Sequence, residues 1–279
     1  MKPIIDAIDF LKLENKKNIV IIDVRVGANA KSSFENLHLK RAFWVDAETE
    51  LAQKTDNAAY GGRHPLPTVD KFCVLLGNLG INPSTHVIVY DDKNGANAAA
   101  RFWWMLKAVG HEKVQVVNGG LQTAIKIGYP TSIETIKPEM QPPYPAPSWQ
   151  LPTADIEEVA KAALAPDHVV IDVRDSERYL GMHEPIDLIA GHIPGAINIP
   201  FNENLDENGL FLPSEKLKEK YEQAIGNFKP ENTIVHCGSG ITACHTLLAI
   251  AQADMPIPKL YVGSWSEWSR NDREIGKGE

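Results

Sequence analysis

A chain of 279 residues, 43% apolar and 23% charged, has the composition of a globular protein and the length for two domains, each burying its own core. Its 36 acidic residues outnumber its 28 basic ones, and the net charge of -8 argues against nucleic acid or an anionic membrane surface as the main partner. The opening MKPIIDAIDF breaks its apolar residues with Asp6 and Asp9, unlike a secretory signal, and no apolar run is long enough to cross a bilayer. Three cysteines, Cys73, Cys237 and Cys244, are too few and too odd in number for a disulfide framework, and no C-x-x-C pair suggests zinc. The expectations are a reducing cytoplasm, no metal and no organic cofactor.

Taken in chain order, the elements come twice. NIVIIDVR at 18–25 returns as HVVIDVR at 168–174, and HLKRAFWVD at 38–46 returns as HIPGAINIP at 192–200. HVIVYDDKNGANAAARFWWML at 86–106 corresponds to NTIVHCGSGITACHTLLAI at 232–250, and VQVVNGGL at 114–121 to KLYVGSWS at 259–266. Matches that keep their order over half the chain mean duplication of a whole domain. The seam is rich in proline: Pro130, Pro138, Pro142, Pro143, Pro145, Pro147 and Pro152 exclude a helix or a central strand. The expected layout is a domain over 1–130, a stiff extended linker over 131–152 and a second domain over 153–279.

In the second half, β-branched runs predict strands at 168–173, 196–199, 232–236 and 259–262. Helical patterns predict helices at 153–165, 175–180, 214–224, 241–253 and 264–270. Such alternation makes an α/β fold, a mostly parallel sheet flanked by helices on both faces. Ligands of such sheets bind beyond the carboxyl ends of the strands, and Cys237 falls at one of those ends.

The loop after that strand, Cys237-Gly238-Ser239-Gly240-Ile241-Thr242, turns directly into a helix. A turn of this kind aims backbone N–H groups at one spot, the glycines supply the backbone angles, and the helix adds the positive end of its dipole. A thiol at the centre of such a cradle is a candidate nucleophile, because its thiolate is the anion that the cradle binds. The competing reading is a small buried cysteine at a strand end. Cysteine phosphatases build a similar loop but place an arginine six residues after the cysteine to clamp phosphate; here that position is Ala243, which removes the clamp.

HCGSGITA, together with GHIPGAINIPF at 191–201, DVR at 172–174 and GSWSEW at 263–268, resembles the two-domain rhodanese sulfurtransferases over essentially the whole chain. The resemblance implies two tandem rhodanese-like domains. It also implies that a cysteine of the second domain takes sulfur from a donor, holds it as a persulfide and passes it to a thiol or to cyanide. The first domain of the family lacks that cysteine, and here Asp91 stands in its place. Family members specific for thiosulfate resemble Cys-Arg-Lys-Gly-Val-Thr, whereas those acting on 3-mercaptopyruvate resemble Cys-Gly-Ser-Gly-Val-Thr. The loop here is of the second type, with Ile241 for valine, so 3-mercaptopyruvate is the expected donor and a thiol such as reduced thioredoxin the expected acceptor. The alternatives are a thiosulfate:cyanide sulfurtransferase, or a sulfur-carrier module that docks a protein partner without turning over a small donor. An apolar patch around Cys237 would favour the carrier, and an arginine-rimmed pocket would oppose it.

The same resemblance distributes further roles. Arg178 in ERYLG matches a family arginine that grips the donor carboxylate, the alternative being an exposed helix charge. A second arginine is expected where this chain has Ile186 in Glu184-Pro185-Ile186-Asp187. Ser239 matches a serine that relays a proton, or else only caps the helix. His64 in GGRHPLP and Asp46 match first-domain residues that reach toward that serine, and Arg63 adds positive charge there or is a surface cation. Gly238, Gly240, Ile241 and Thr242 complete the substrate-binding loop. Asp172 and Arg174 are read as bracing the strand end, and Trp103, Trp104, Trp265 and Trp268 as core. Cys244, seven residues past Cys237, would lie about 10 Å further along a helix, too far for an unstrained disulfide.

Overall fold

A computed structural model describes residues 1–278. By spatial contact the chain forms two compact units: Met1–Ala52, Pro67–Gln150 and Glu207–Phe211 make the first, and Gln53–Leu66, Leu151–Asp206 and Leu212–Glu279 the second.

In the first unit the elements are β1 (Ile4–Ile5), α1 (Ala7–Leu11), β2 (Ile19–Asp23), α2 (Ala30–Asn36), β3 (His38–Leu39), β4 (Ala42–Trp44), α3 (Val69–Asn78), β5 (His86–Tyr90), α4 (Ala98–Ala108), β6 (Val114–Val117), α5 (Gly120–Lys126) and β7 (Thr131–Ser132). The second has β8 (Thr153–Ala154), α6 (Ile156–Ala162), β9 (Val169–Asp172), α7 (Ser176–Tyr179), β10 (Ile197–Asn198), α8 (Ser214–Ile225), β11 (Thr233–His236), α9 (Thr242–Gln252), β12 (Lys259–Tyr261) and α10 (Ser264–Trp268). The first main sheet has the order β1-β6-β5-β2-β4, and the second, read from its opposite edge, β8-β12-β11-β9-β10. Every neighbouring pair in both is parallel. The duplication read in the residues is therefore a duplication of topology.

Buried strands explain the near-continuous apolar runs. Ile21, Ile22, Val87, Ile88, Val170, Ile171, Ile234 and Val235 are all essentially inaccessible, as strands covered on both faces require. Around Phe10, Phe34 and Tyr90 the first unit closes its core, with Phe10 stacked on Tyr129 at 4.2 Å. Val159, Val170, Ile234, Tyr261 and Trp265 form that of the second. Each large side chain so buried contributes ~1.5–3 kcal/mol. The Asp-Val-Arg motif acts alike in both units. Arg25 Nη2 binds Asp23 at 2.5 Å and Leu37 O at 2.9 Å; Arg174 Nη2 binds Asp172 at 2.6 Å and Gly191 O at 2.7 Å. A buried fork thus ties the end of the second strand of each repeat to the chain just before His38 or His192.

The helix expected to start at 153 starts at Ile156 instead. Thr153 and Ala154 form an edge strand paired with Leu260 and Tyr261, and Asp155 then caps the helix by accepting the Glu158 N–H at 2.8 Å. Two residues are too few to show an alternating pattern, so only the pairing reveals this strand. The proline-rich stretch is extended, but it is pinned rather than free. Thr131–Ser132 pairs with β3, and the N–H groups of Gln141, Tyr144 and Gln150 donate to the carbonyls of Gly77, Cys73 and Ala108. Trp149 lies beside Phe72 and Trp104. Trp103, Trp104, Trp265 and Trp268 are core, as their helical spacing predicted.

Candidate active site

Cys237 follows β11, the central strand of the second sheet, and is buried to 1% exposure. Both of the first two loop carbonyls are drawn toward α10: Trp265 N–H donates to Cys237 O at 3.0 Å and Ser266 N–H to Gly238 O at 2.8 Å. Behind the cysteine, its own N–H donates to Ser264 Oγ at 3.2 Å. With the carbonyls turned back, Gly240 N–H donates to Cys237 Sγ at 3.2 Å, and α9 starts two residues later. Gly240 has a φ of 75°, and a side-chain carbon there would meet Val262 O at 2.6 Å, so only glycine fits this turn. Ser239 and Ile241 are buried within it and Thr242 is half-buried. Cys244 is buried on α9 and donates to Gly240 O at 3.3 Å; all three cysteines are free.

The charge around the loop comes from arginines. A side-chain carbon placed on Gly238 would lie 3.2 Å from Arg63 Nη2 and 3.3 Å from Arg178 Nη2, so both guanidiniums flank the loop at that glycine. Two carboxylates hold them. Arg178 donates from Nη2 to Glu184 Oε1 at 2.7 Å and to Asp187 Oδ2 at 3.4 Å. Arg63 Nε donates to Asp187 Oδ1 at 2.9 Å, and Arg270 Nη1 reaches the same oxygen at 3.1 Å. The Asp187 side chain is wholly buried and its carboxylate serves three guanidiniums. Burial works to lift the Glu184 carboxyl, but hydrogen bonds from Arg178 and from the N–H groups of Asp187 and Ile186 outweigh it and hold Glu184 below its ordinary value. Arg174 continues the network, with Nη1 on Glu184 at 3.2 Å and its guanidinium 4.6 Å over the Trp265 ring. Asp172 is likewise held low by Arg174 and His236 against the lift of burial. Burial pulls His236 down, so the imidazole next to Cys237 favours its neutral form.

Among the residues singled out in the sequence, Cys237, Gly238, Ser239, Gly240, Ile241, Thr242, Arg178, Arg63 and His64 all belong to the second unit. Arg63 and His64, read from the sequence as first-domain residues, come with the segment Gln53–Leu66, which that unit takes up. Gly61 N–H donates to Glu267 Oε1 at 2.7 Å and Arg63 N–H to Ser266 Oγ at 3.0 Å. His64 is buried at 7% exposure. Asp46 belongs to the first unit, where its Oδ1 accepts the Glu48 N–H at 2.8 Å in a local turn. Ile186 is 54% exposed, and its N–H helps to cradle Glu184 at 3.1 Å. Sequence reasoning missed Asp187, Glu184 and Arg270 as parts of the site. The available signal was an acid directly after Ile186, in a loop where cations were expected to gather.

The corresponding position of the first unit is already occupied by an anion. Asp91 is fully buried and its carboxylate accepts the N–H groups of Lys93 and Gly95 at 2.8 Å and of Asn97 and Ala99 at 3.1 Å. Burial nonetheless keeps this carboxyl above its ordinary value. Among the described residues no group of three or more His, Cys, Asp or Glu is arranged to hold a metal ion, and no helix is long and apolar enough to cross a membrane.

A buried cysteine in a glycine turn between a central parallel strand and a helix, in the second of two like-wound units, defines the class. The model of the rhodanese-like domain matches residues 6–124 and 155–271, and the chain belongs to that family. It is similar to a probable 3-mercaptopyruvate sulfurtransferase of Pseudomonas aeruginosa, 32% identical over 93% of this chain and 92% of that protein. It is also similar to the thiosulfate sulfurtransferase of Rattus norvegicus, 36% identical over 86% and 80%. The solved structure of 3-mercaptopyruvate sulfurtransferase from Leishmania major superposes with a TM-score of 0.81 at 26% identity, covering 96% of this chain and 74% of that one.

Proposed function

We propose that the protein moves a sulfane sulfur from 3-mercaptopyruvate to a thiol through a persulfide on Cys237. It is a sulfurtransferase, the activity that its named relatives share. Relatives named for either donor stand at similar identity, so overall likeness does not choose between donors. The observation that carries the choice is the loop itself: Gly238 and Ser239 are neutral, and the positive charge is held further out by Arg63 and Arg178, 3.2 and 3.3 Å from a carbon at Gly238. That arrangement suits a donor whose sulfur and carboxylate are separated by a short carbon chain. The arginines also favour a small anionic donor over a carrier module that docks without turnover.

In this reading the Cys237 thiolate attacks the donor sulfur, an S–S bond forms and the C–S bond breaks. Its electron pair leaves on pyruvate as the enolate, which takes up a proton to give pyruvate. Gly240 N–H, already donated to Sγ, steadies the negative sulfur, and Arg178 with Arg63 binds the carboxylate. Ser239 and His64 supply the proton path, and Gly238, Ile241 and Thr242 shape the loop around the donor. An acceptor thiol then attacks the outer sulfur and releases Cys237. Reduced thioredoxin is the acceptor we propose, and the cytoplasm the compartment; exposed Met182, Ile186 and Leu188, on the loop that carries Glu184 and Asp187, offer it apolar contact.

The test is turnover of both donors by one preparation. A kcat/KM for 3-mercaptopyruvate at least tenfold above that for thiosulfate is expected. The second reading, thiosulfate:cyanide sulfurtransferase, draws on the thiosulfate-named relatives and takes over if thiosulfate is used equally well.

A further inference from the structure

The structure assigns to Asp187 a role beyond holding arginines in place: we propose that its charge sets which anions the site accepts, favouring monoanions over dianions. Three guanidiniums, from Arg63, Arg178 and Arg270, meet on this one buried carboxylate, and Glu184 takes a second grip on Arg178. Arg174 is balanced by Asp172 and bridges to Glu184. Three cations, Arg63, Arg178 and Arg270, face the two carboxylates Asp187 and Glu184, and Glu267 adds a third negative charge, so the cluster beside Gly238 is close to balanced and Asp187 decides its sign. Glu267 Oε1 accepts the Gly61 N–H at 2.7 Å.

The geometry makes this charge adjustable from one position. The Asp187 side chain is wholly buried, so water screens its charge poorly, while the arginine side chains retain 25%, 14% and 23% exposure. Arg63 uses Nε and Nη2 on Asp187, and Arg178 uses Nε and Nη2 on the two carboxylates. In both residues Nη1 donates to no group among the described residues. Arg178 Nη1 lies 3.6 Å from a carbon placed on Gly238, within reach of an anion held beside Cys237. An uncompensated cluster of three guanidiniums would attract a dianion more than a monoanion; Asp187 lessens that advantage.

This inference deepens the proposed function, since 3-mercaptopyruvate is a monoanion and thiosulfate a dianion, but its test does not depend on either being a donor. Cys237 is alkylated with iodoacetate, an anion, and with neutral iodoacetamide, and the ratio of the two rates is measured, with Cys237 identified by peptide mass. Asp187→Asn, close in shape, is expected to raise that ratio about tenfold, and to strengthen protection by inorganic sulfate. Arg270→Gln, which removes a cation and leaves Arg63 and Arg178 on Asp187, is expected to lower the ratio by several-fold. Where the wild type turns over both donors, the thiosulfate-to-mercaptopyruvate ratio of kcat/KM should follow in the same two directions. A purely structural role predicts that both variants lose rate with both reagents and keep the ratio; that result, or a shift of the same sign in both variants, overturns the proposal. Should Asp187→Asn fail to fold by circular dichroism, Arg270→Gln carries the test alone, and an unchanged ratio there overturns it. Absence of mercaptopyruvate turnover with these ratio shifts intact would count against the donor assignment and leave the role of Asp187 standing.

Discussion

The loops after β5 and β11 are the same construction carried to different ends. Each follows the central strand of a parallel sheet and leads into a buried helix. After β5 the loop holds an anion of its own: Asp91 accepts four N–H groups and fills its cradle. After β11 the central atom is a sulfur with one N–H on it, and cations brought by other elements stand at Gly238. Spacing differs as well, with α4 starting seven positions after Asp91 (98 − 91) and α9 five after Cys237 (242 − 237). A carboxylate closes such a loop; a cysteine leaves a nucleophile at its centre.

The largest effect should come from exchanging the atom that distinguishes them. Cys237→Ser is expected to abolish sulfur transfer. Donor without acceptor should add one sulfur, ~32 Da, to the Cys237 peptide and to neither the Cys73 nor the Cys244 peptide, as a single activated thiolate requires. Label on either of those would break the comparison outright.

Next in size is His64→Ala, for which a rate loss of ~10²–10⁴ is expected if His64 serves proton transfer, measured as kcat at saturating donor. Asp91→Asn, in contrast, should leave kcat within a few-fold. Asp91→Ala should lower the stability of the protein by ~1–3 kcal/mol in a denaturant titration, because buried N–H groups lose their acceptor. A large rate effect at Asp91 with none at His64 would show the roles of the two regions reversed.

A smaller change should follow from Gly238→Ala. The added carbon presses on Arg63 and Arg178 at 3.2 and 3.3 Å, so a several-fold rise in KM for 3-mercaptopyruvate with kcat nearly unchanged is expected. The pH dependence is the subtlest contrast. Asp172 and Glu184 are depressed in the folded protein, so their stabilisation is present above the unfolded carboxyl range and is lost as pH falls through their folded values. Asp91 is raised, so its contribution favours the folded state below that range and is lost as pH rises through its folded value. Hydrogen exchange on acidification from neutral pH should therefore loosen residues 172–191 before the loop 91–99. The opposite order would contradict the assigned electrostatics.

How far the residues alone reached depended on the distance over which each feature is encoded. The duplication, the parallel alternation and the core tryptophans follow from periods of two to four residues and from a repeated order of runs. The reactive loop was legible for the same reason: cysteine, glycines and helix start are consecutive, and their geometry is local. Edge strands β1 and β8 were not legible, because two residues carry no period and only their parallel partners β6 and β12 define them.

By itself the sequence determined two like-wound α/β halves, a single glycine-flanked cysteine at the end of a central strand, and an aspartate in the equivalent place. Only the tertiary structure decided that Gln53–Leu66 sits with the second unit, and that guanidiniums from positions 63, 178 and 270 meet on Asp187. Local conformation follows from the spacing of neighbours. A buried carboxylate shared by residues more than two hundred positions apart follows from the packing that makes a common burial site, where an unpaired charge is too costly to leave alone.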